Sequence, residues 1–135
     1  MIRRTVLACA FFAVTGVMAG QQDADFTAAM KATEKSMDAI RKADPKSGEE
    51  VVAAAERLGG IYENMVPFWR QRNAAKAVRI SEEGKFAAAI LASAANSGNS
   101  EEVAGALKQL GGTCRSCHEQ YREKIAEGKY RIKLP

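Results

Sequence analysis

Histidine is almost missing from this chain, and cysteine and proline are scarce: its 135 residues hold one histidine, three cysteines and three prolines. A structural zinc site wants four Cys or His ligands, and that supply is short here. β-Branched residues are sparse and apolar residues rarely alternate with polar ones, which argues against a sheet protein. No large excess of one charge exists either. A formal net charge of +4, with basic and acidic residues interspersed, is no nucleic-acid footprint. The apolar run from Val6 to Val14 is too short to span a bilayer. What the chain does have is alanine, apolar residues spaced by three and four, and one dense cluster of sulfur and imidazole near its C-terminus.

The first 19 residues read as a secretory leader, with Arg3 and Arg4 ahead of the apolar run and small residues around Val17-Met18-Ala19 for cleavage. A membrane anchor and a lipoprotein signal ending at Cys9 are the competing readings, but the apolar stretch before Cys9 is too short for export. Cleavage leaves residues 20–135 as one domain with Cys114 and Cys117, and no membrane insertion is expected of it. The leader carries two of the twenty basic residues and none of the sixteen acidic ones, so the remaining chain is near neutral, about +2. A disulfide across two intervening residues would close a tiny loop and restrain little of a fold.

Four amphipathic helices are predicted. The first covers about 25–43, with Phe26, Met30, Thr33, Met37 and Ile40 in one stripe, and Asp44-Pro45 stops it. The second starts at Ser47 with Glu50 completing a capping box, carries Val51, Ala55, Leu58, Tyr62 and Met65, and ends or kinks at Pro67. A loop to about Val78 precedes a third helix with Phe86, Ile90 and Leu91, closed by Asn96-Ser97-Gly98-Asn99. The fourth is capped at Asn99 or Ser100 and keeps Val103, Leu107, Leu110, Cys114, His118, Tyr121 and Ile125 on one stripe up to Gly128. Four such helices with short connections favour an all-α, antiparallel up-down-up-down four-helix bundle. Its modest, alanine-rich stripes would underfill the interior at one end unless something occupies it.

The chemistry concentrates in "TCRSCHEQYR", residues 113–122. Cys114, Cys117 and His118 form C-x-x-C-H, the attachment pattern of c-type haem, in which each thiol adds to a vinyl group and the imidazole reaches the iron. On a helix, cysteines three apart share a face, and His118, four from Cys114, lands beside them. A zinc site completed by a carboxylate is one rival. A thioredoxin-like dithiol is another, although that pair usually opens a helix after a strand.

The bundle pattern and the terminal "CRSCHEQYR" together resemble the cytochrome c prime family, the class II cytochromes c, whose bundle is a standard up-and-down example. The resemblance implies one covalently attached haem c near one end of the bundle, with Cys114 and Cys117 as thioether points and His118 as axial ligand. It implies that Arg122 faces a haem propionate; a surface pairing with Glu119 or Glu123 is the plainer reading. The first helix, "ADFTAAMKATEKSMDAIRKAD", is similar to the opening helix of the soluble four-helix-bundle b-type cytochrome, whose early methionine binds iron, and Met30 falls at that methionine. Gas-binding members of the family usually carry an arginine one turn before their distal residue, and Phe26 stands there instead.

With two helices level and antiparallel, His118 faces roughly residues 26–29, which leaves Met30 within a turn and Met37 deeper. Met65, at the end of the second helix, is the rival sixth ligand. The expectation is therefore an exported, periplasmic bacterial monohaem cytochrome of the low-spin methionine-ligated branch, carrying electrons between redox proteins rather than acting as an enzyme. The alternative is a five-coordinate protein that binds nitric oxide or carbon monoxide. Phe68 and Trp69 are placed to wall the haem. Arg70, Arg72, Lys76 and Arg79 are placed to ring its edge and steer an acidic redox partner. A face of the first helix is left open for a homodimer.

Overall fold

The structure, a computed structural model, describes residues 15–134, with side chains described from Gln22 onward. Cys9 and most of the expected leader lie outside the described residues. Four helices follow in order, α1 (Thr15–Lys42), α2 (Glu49–Gln71), α3 (Ala75–Ser97) and α4 (Ser100–Tyr121), and then a short hairpin of β1 (Arg122–Ala126) and β2 (Lys129–Ile132).

Ring and polar contacts establish how the helices run. Phe26 stacks on Phe68, and Asp23 on α1 pairs with Arg72 beyond the end of α2, so these helices are antiparallel. Gly59 lies by Ala88 and Tyr62 lies on Gly84, so that one number falls as the other rises and α2 and α3 are antiparallel too. Tyr62 reaches Thr113 while Trp69 reaches Tyr121, a constant step that makes α2 and α4 parallel, as the up-down-up-down bundle requires. The alternation follows from connections too short to cross the bundle.

The buried core joins Leu58, Leu91, Leu110 and Val103 to a series of alanines, Ala54, Ala55, Ala87, Ala88, Ala94 and Ala95. Small residues let α2, α3 and α4 approach closely, while each buried leucine contributes about 1.5–3 kcal/mol. α1 packs on α2, α2 on α3 and α3 on α4, but α1 and α4 scarcely approach each other. The inward stripe of α1 shows the result: Ser36 and Ile40 are buried, whereas Phe26, Met30 and Thr33 towards the other end are only half-buried. An open α1–α4 seam runs between these two helices.

Several boundaries differ from the sequence expectation, beginning with α1, which starts at Thr15 and not near residue 25. Gly48, not Ser47, occupies the N-cap of α2, with φ 98° and no side-chain cap, so the capping box does not form. Pro67 lies inside α2, which continues to Gln71, and α3 starts at Ala75; the expected loop shrinks to residues 72–74. An interior proline costs about 3 kcal/mol. Burial of Met65 and Trp69 on either side of it is large enough to offset that.

The fourth helix ends at Tyr121 instead of running to Gly128. There Arg122 turns extended, with φ −115° and ψ 122°, and Gly128 at φ 64° reverses the chain between the strands. Ile125 therefore leaves the helical stripe and is 54% exposed. The hairpin is held to the bundle by Lys133 N–H donating to Tyr121 C=O at 2.8 Å and by Ile132 packing on the core. The bundle is otherwise the all-α architecture expected.

Candidate functional site

Cys114, Cys117 and His118 occupy the last two turns of α4, which Asn99 starts by accepting a hydrogen bond from the Glu102 N–H at 3.2 Å. All three are partly buried, and both cysteines are free thiols. Burial, and then the charge of neighbouring Cys114, push the Cys117 thiol up to about 11. A redox dithiol depends on the opposite shift. The dithiol rival therefore loses ground. Burial lowers the pKa of His118 and the charge of Arg122 lowers it further. The ring is thus neutral at pH 7, with a nitrogen lone pair available to a metal.

One partner of this cluster was not anticipated. The Tyr62 hydroxyl lies 3.1 Å from Thr113 Oγ1 and 3.6 Å from Cys114 Sγ. Thr113 donates its own proton to Leu110 C=O at 2.8 Å. Tyr62 must then donate to Thr113, and its oxygen is left to accept from the Cys114 thiol. The ring can reach this place because residue 84 is glycine: a Cβ there would sit well inside contact distance of Tyr62 ring carbons. Gly84 interrupting an alanine-rich helix is the one sequence signal that pointed to a close approach.

At the outer end of the seam four aromatic rings meet. Trp69 touches Phe26 of α1 at 5.2 Å, Phe68 at 5.0 Å and Tyr121 of α4 at 5.0 Å between centroids. Phe26 and Tyr121 therefore share a level of the bundle. One turn further in, Met30 follows Phe26 on α1 and His118 precedes Tyr121 on α4, so these two share the next level, about 5 Å deeper. Met37 lies nearly two turns beyond Met30, away from His118. Met65, buried one turn inward of Trp69 on α2, lies near the Met30 level as well.

The remaining predicted residues fare differently. Arg122 is exposed and its guanidinium lies over the Tyr130 ring at 4.4 Å. Among the described residues Arg122 forms no ion pair with Glu119 or Glu123, and Glu123 instead accepts from Arg131 at 2.6 Å. Arg72 is drawn back to the bundle, 2.6 Å from Asp23 and 3.6 Å above the Phe68 ring. Arg70, Lys76 and Arg79 are exposed at the same end.

A haem suits these residues on three counts: two thiols beside a neutral imidazole, an α1–α4 seam lined by half-buried apolar side chains, and the Trp69 Nε1–H, buried without a hydrogen-bond partner. Cys114, Cys117 and His118 are the residues to hold it.

Comparison with known proteins agrees. A family profile described as Cytochrome C' matches residues 63–122, the span from the second half of α2 to the end of α4. A curated relative, cytochrome c' of Pararhodospirillum photometricum, is 34% identical over 104 residues, which cover 66% of this chain and 83% of that protein. No solved structure matches. The hairpin beyond residue 122 falls outside the matched profile.

Proposed function

The chain belongs to the cytochrome c' family, and from that premise we propose that it is a periplasmic electron carrier whose haem iron is held between His118 and Met30. It is a c-type haem protein with one covalently attached haem c. When bound, the haem supplies an iron that cycles between ferric and ferrous forms. Cys114 and Cys117 would anchor it through thioethers, the neutral imidazole of His118 would supply a nitrogen to the iron, and Met30 would supply a thioether sulfur from the facing helix. His/Met ligation raises the potential and leaves no open coordination site, which suits transfer between proteins and not catalysis.

The observation that carries this reading is the shared level of Met30 and His118 across the open seam, derived from Trp69 touching both Phe26 and Tyr121. Phe26 also stands where gas-binding members usually have arginine. Export rests on the leader pattern in residues 1–19 and on the family. Among the described residues no helix is long and apolar enough to cross a membrane.

A second reading, a five-coordinate protein binding nitric oxide or carbon monoxide, is favoured by the family match itself. One spectrum separates the two. The purified holoprotein is expected to be low-spin when oxidised and slow to react with carbon monoxide when reduced. Met30→Ala should convert it to a high-spin, carbon-monoxide-binding form. A wild-type protein that is already high-spin and binds carbon monoxide readily would establish the second reading. A low-spin spectrum surviving Met30→Ala would move the ligand to Met65.

A further inference from the structure

Trp69 is the single tryptophan of the chain and is 1% exposed, yet its Nε1–H is the one buried side-chain nitrogen or oxygen without a hydrogen-bond partner among the described residues. Leaving a buried donor unsatisfied costs about 1–3 kcal/mol, so such groups persist where a ligand completes them. The three rings around it, Phe26, Phe68 and Tyr121, belong to the wall of the seam described above.

We infer that Trp69 is a haem-binding residue whose indole N–H donates a hydrogen bond to a haem propionate. The inference rests on the haem assignment. A porphyrin is apolar apart from its iron and its two carboxylates, so a haem seated in the seam offers this N–H only two kinds of acceptor: a propionate, or a ligand on the iron. Level decides between them. Met30 and His118 share the iron's level, and Trp69 lies one turn outward, beside Tyr121, at the end where a carboxylate can remain in contact with water. Of the arginines at this end, Arg72 is engaged with Asp23 and the Phe68 ring and Arg122 with the Tyr130 ring, while Arg70 and Arg79 are exposed side chains on the outer surface. Trp69 is thus the uncommitted buried donor at this end, and a neutral one, which suits a carboxylate that is not fully desolvated.

The test uses the holoprotein and Trp69→Phe, which keeps an aromatic ring and removes the donor. A covalent haem spectrum in alkaline pyridine first verifies loading, so a failure of the haem assignment is seen separately. In resonance Raman spectra the propionate bending band should shift down in Trp69→Phe, and the reduction potential should fall because the carboxylate charge is no longer offset. Because the chain has one tryptophan, 15N-labelled wild-type holoprotein gives one indole N–H signal, expected downfield and slow to exchange; this measurement stands even if the variant fails to load. An unmoved propionate band with an unmoved potential would overturn the inference, as would a fast-exchanging indole signal. A propionate band unchanged while the stretch of iron-bound carbon monoxide shifts would assign the donor to the iron ligand and overturn it too.

Discussion

Gly84 and Tyr62 show how one missing methyl group places another residue. Replacing a mid-helix glycine by alanine usually stabilises a helix by about 0.5–1 kcal/mol. At Gly84 the new Cβ meets the Tyr62 ring, which is buried and tied to Thr113, and forced overpacking costs about 1–3 kcal/mol. Gly84→Ala should therefore lower the thermal midpoint, the reverse of the helix-propensity expectation, and calorimetry of the holoprotein will show which sign holds.

Tyr62 itself carries a pH signature. Desolvation raises its pKa well above the ordinary tyrosine value, a cause that persists once Cys114 is a thioether without charge. A folded-state pKa raised above the unfolded value gives stability that is complete below about pH 10 and declines as pH rises beyond it. In an alkaline titration followed by tyrosinate absorbance, Tyr62 should ionise last of the three tyrosines, only as the bundle unfolds. Tyr62→Phe should flatten that alkaline decline. None of this was readable from the stripe position of Tyr62, because its partners lie 51 and 52 residues away and the offset between α2 and α4 is set by packing.

Among the elements, α4 was the most legible and α2 the least. The cap, the acidic first turn and the C-x-x-C-H run of α4 are local features, and local physics placed them: Asn99 does accept from Glu102 N–H. Asn99→Ala should cost about 1 kcal/mol in denaturant unfolding while leaving the haem spectrum unchanged, since the cap lies at the opposite end of the helix from His118. Helix α2 passes through Pro67 because burial of Met65 and Trp69 outweighs the lost hydrogen bond, a tertiary effect no propensity contains. The hairpin was misread for another reason. Ile125 fits a helical stripe by number, but alternation through Lys129-Tyr130-Arg131-Ile132 and the reversal at Gly128 were competing signals, and pairing with β2 won.

For the whole molecule, charge is organised around one end. The hairpin adds Arg122, Lys124, Lys129, Arg131 and Lys133 against Glu123 and Glu127, directly after the helix that carries His118. Arg70, Lys76 and Arg79 are exposed at that end, while Arg72 is withdrawn into its contacts with Asp23 and Phe68. If this surface steers an acidic redox partner, raising ionic strength should slow second-order reduction of the haem several-fold between low and physiological salt. Stopped-flow rates that do not respond to salt would exclude the steering role. Reversing the hairpin charge with Lys129→Glu and Arg131→Glu should weaken the salt dependence and leave the spectrum alone.

The sequence by itself determined the cofactor class and the bundle. Both depend on a short-range rule, three- and four-residue spacing on a helix. Only the tertiary structure decided which side chains complete the site. Trp69 between Phe26 and Tyr121, Tyr62 on Gly84 beside Cys114, and the open α1–α4 seam arise from how four helices settle against one another. That settlement depends on the summed volumes of side chains far apart in the chain, which no local pattern encodes.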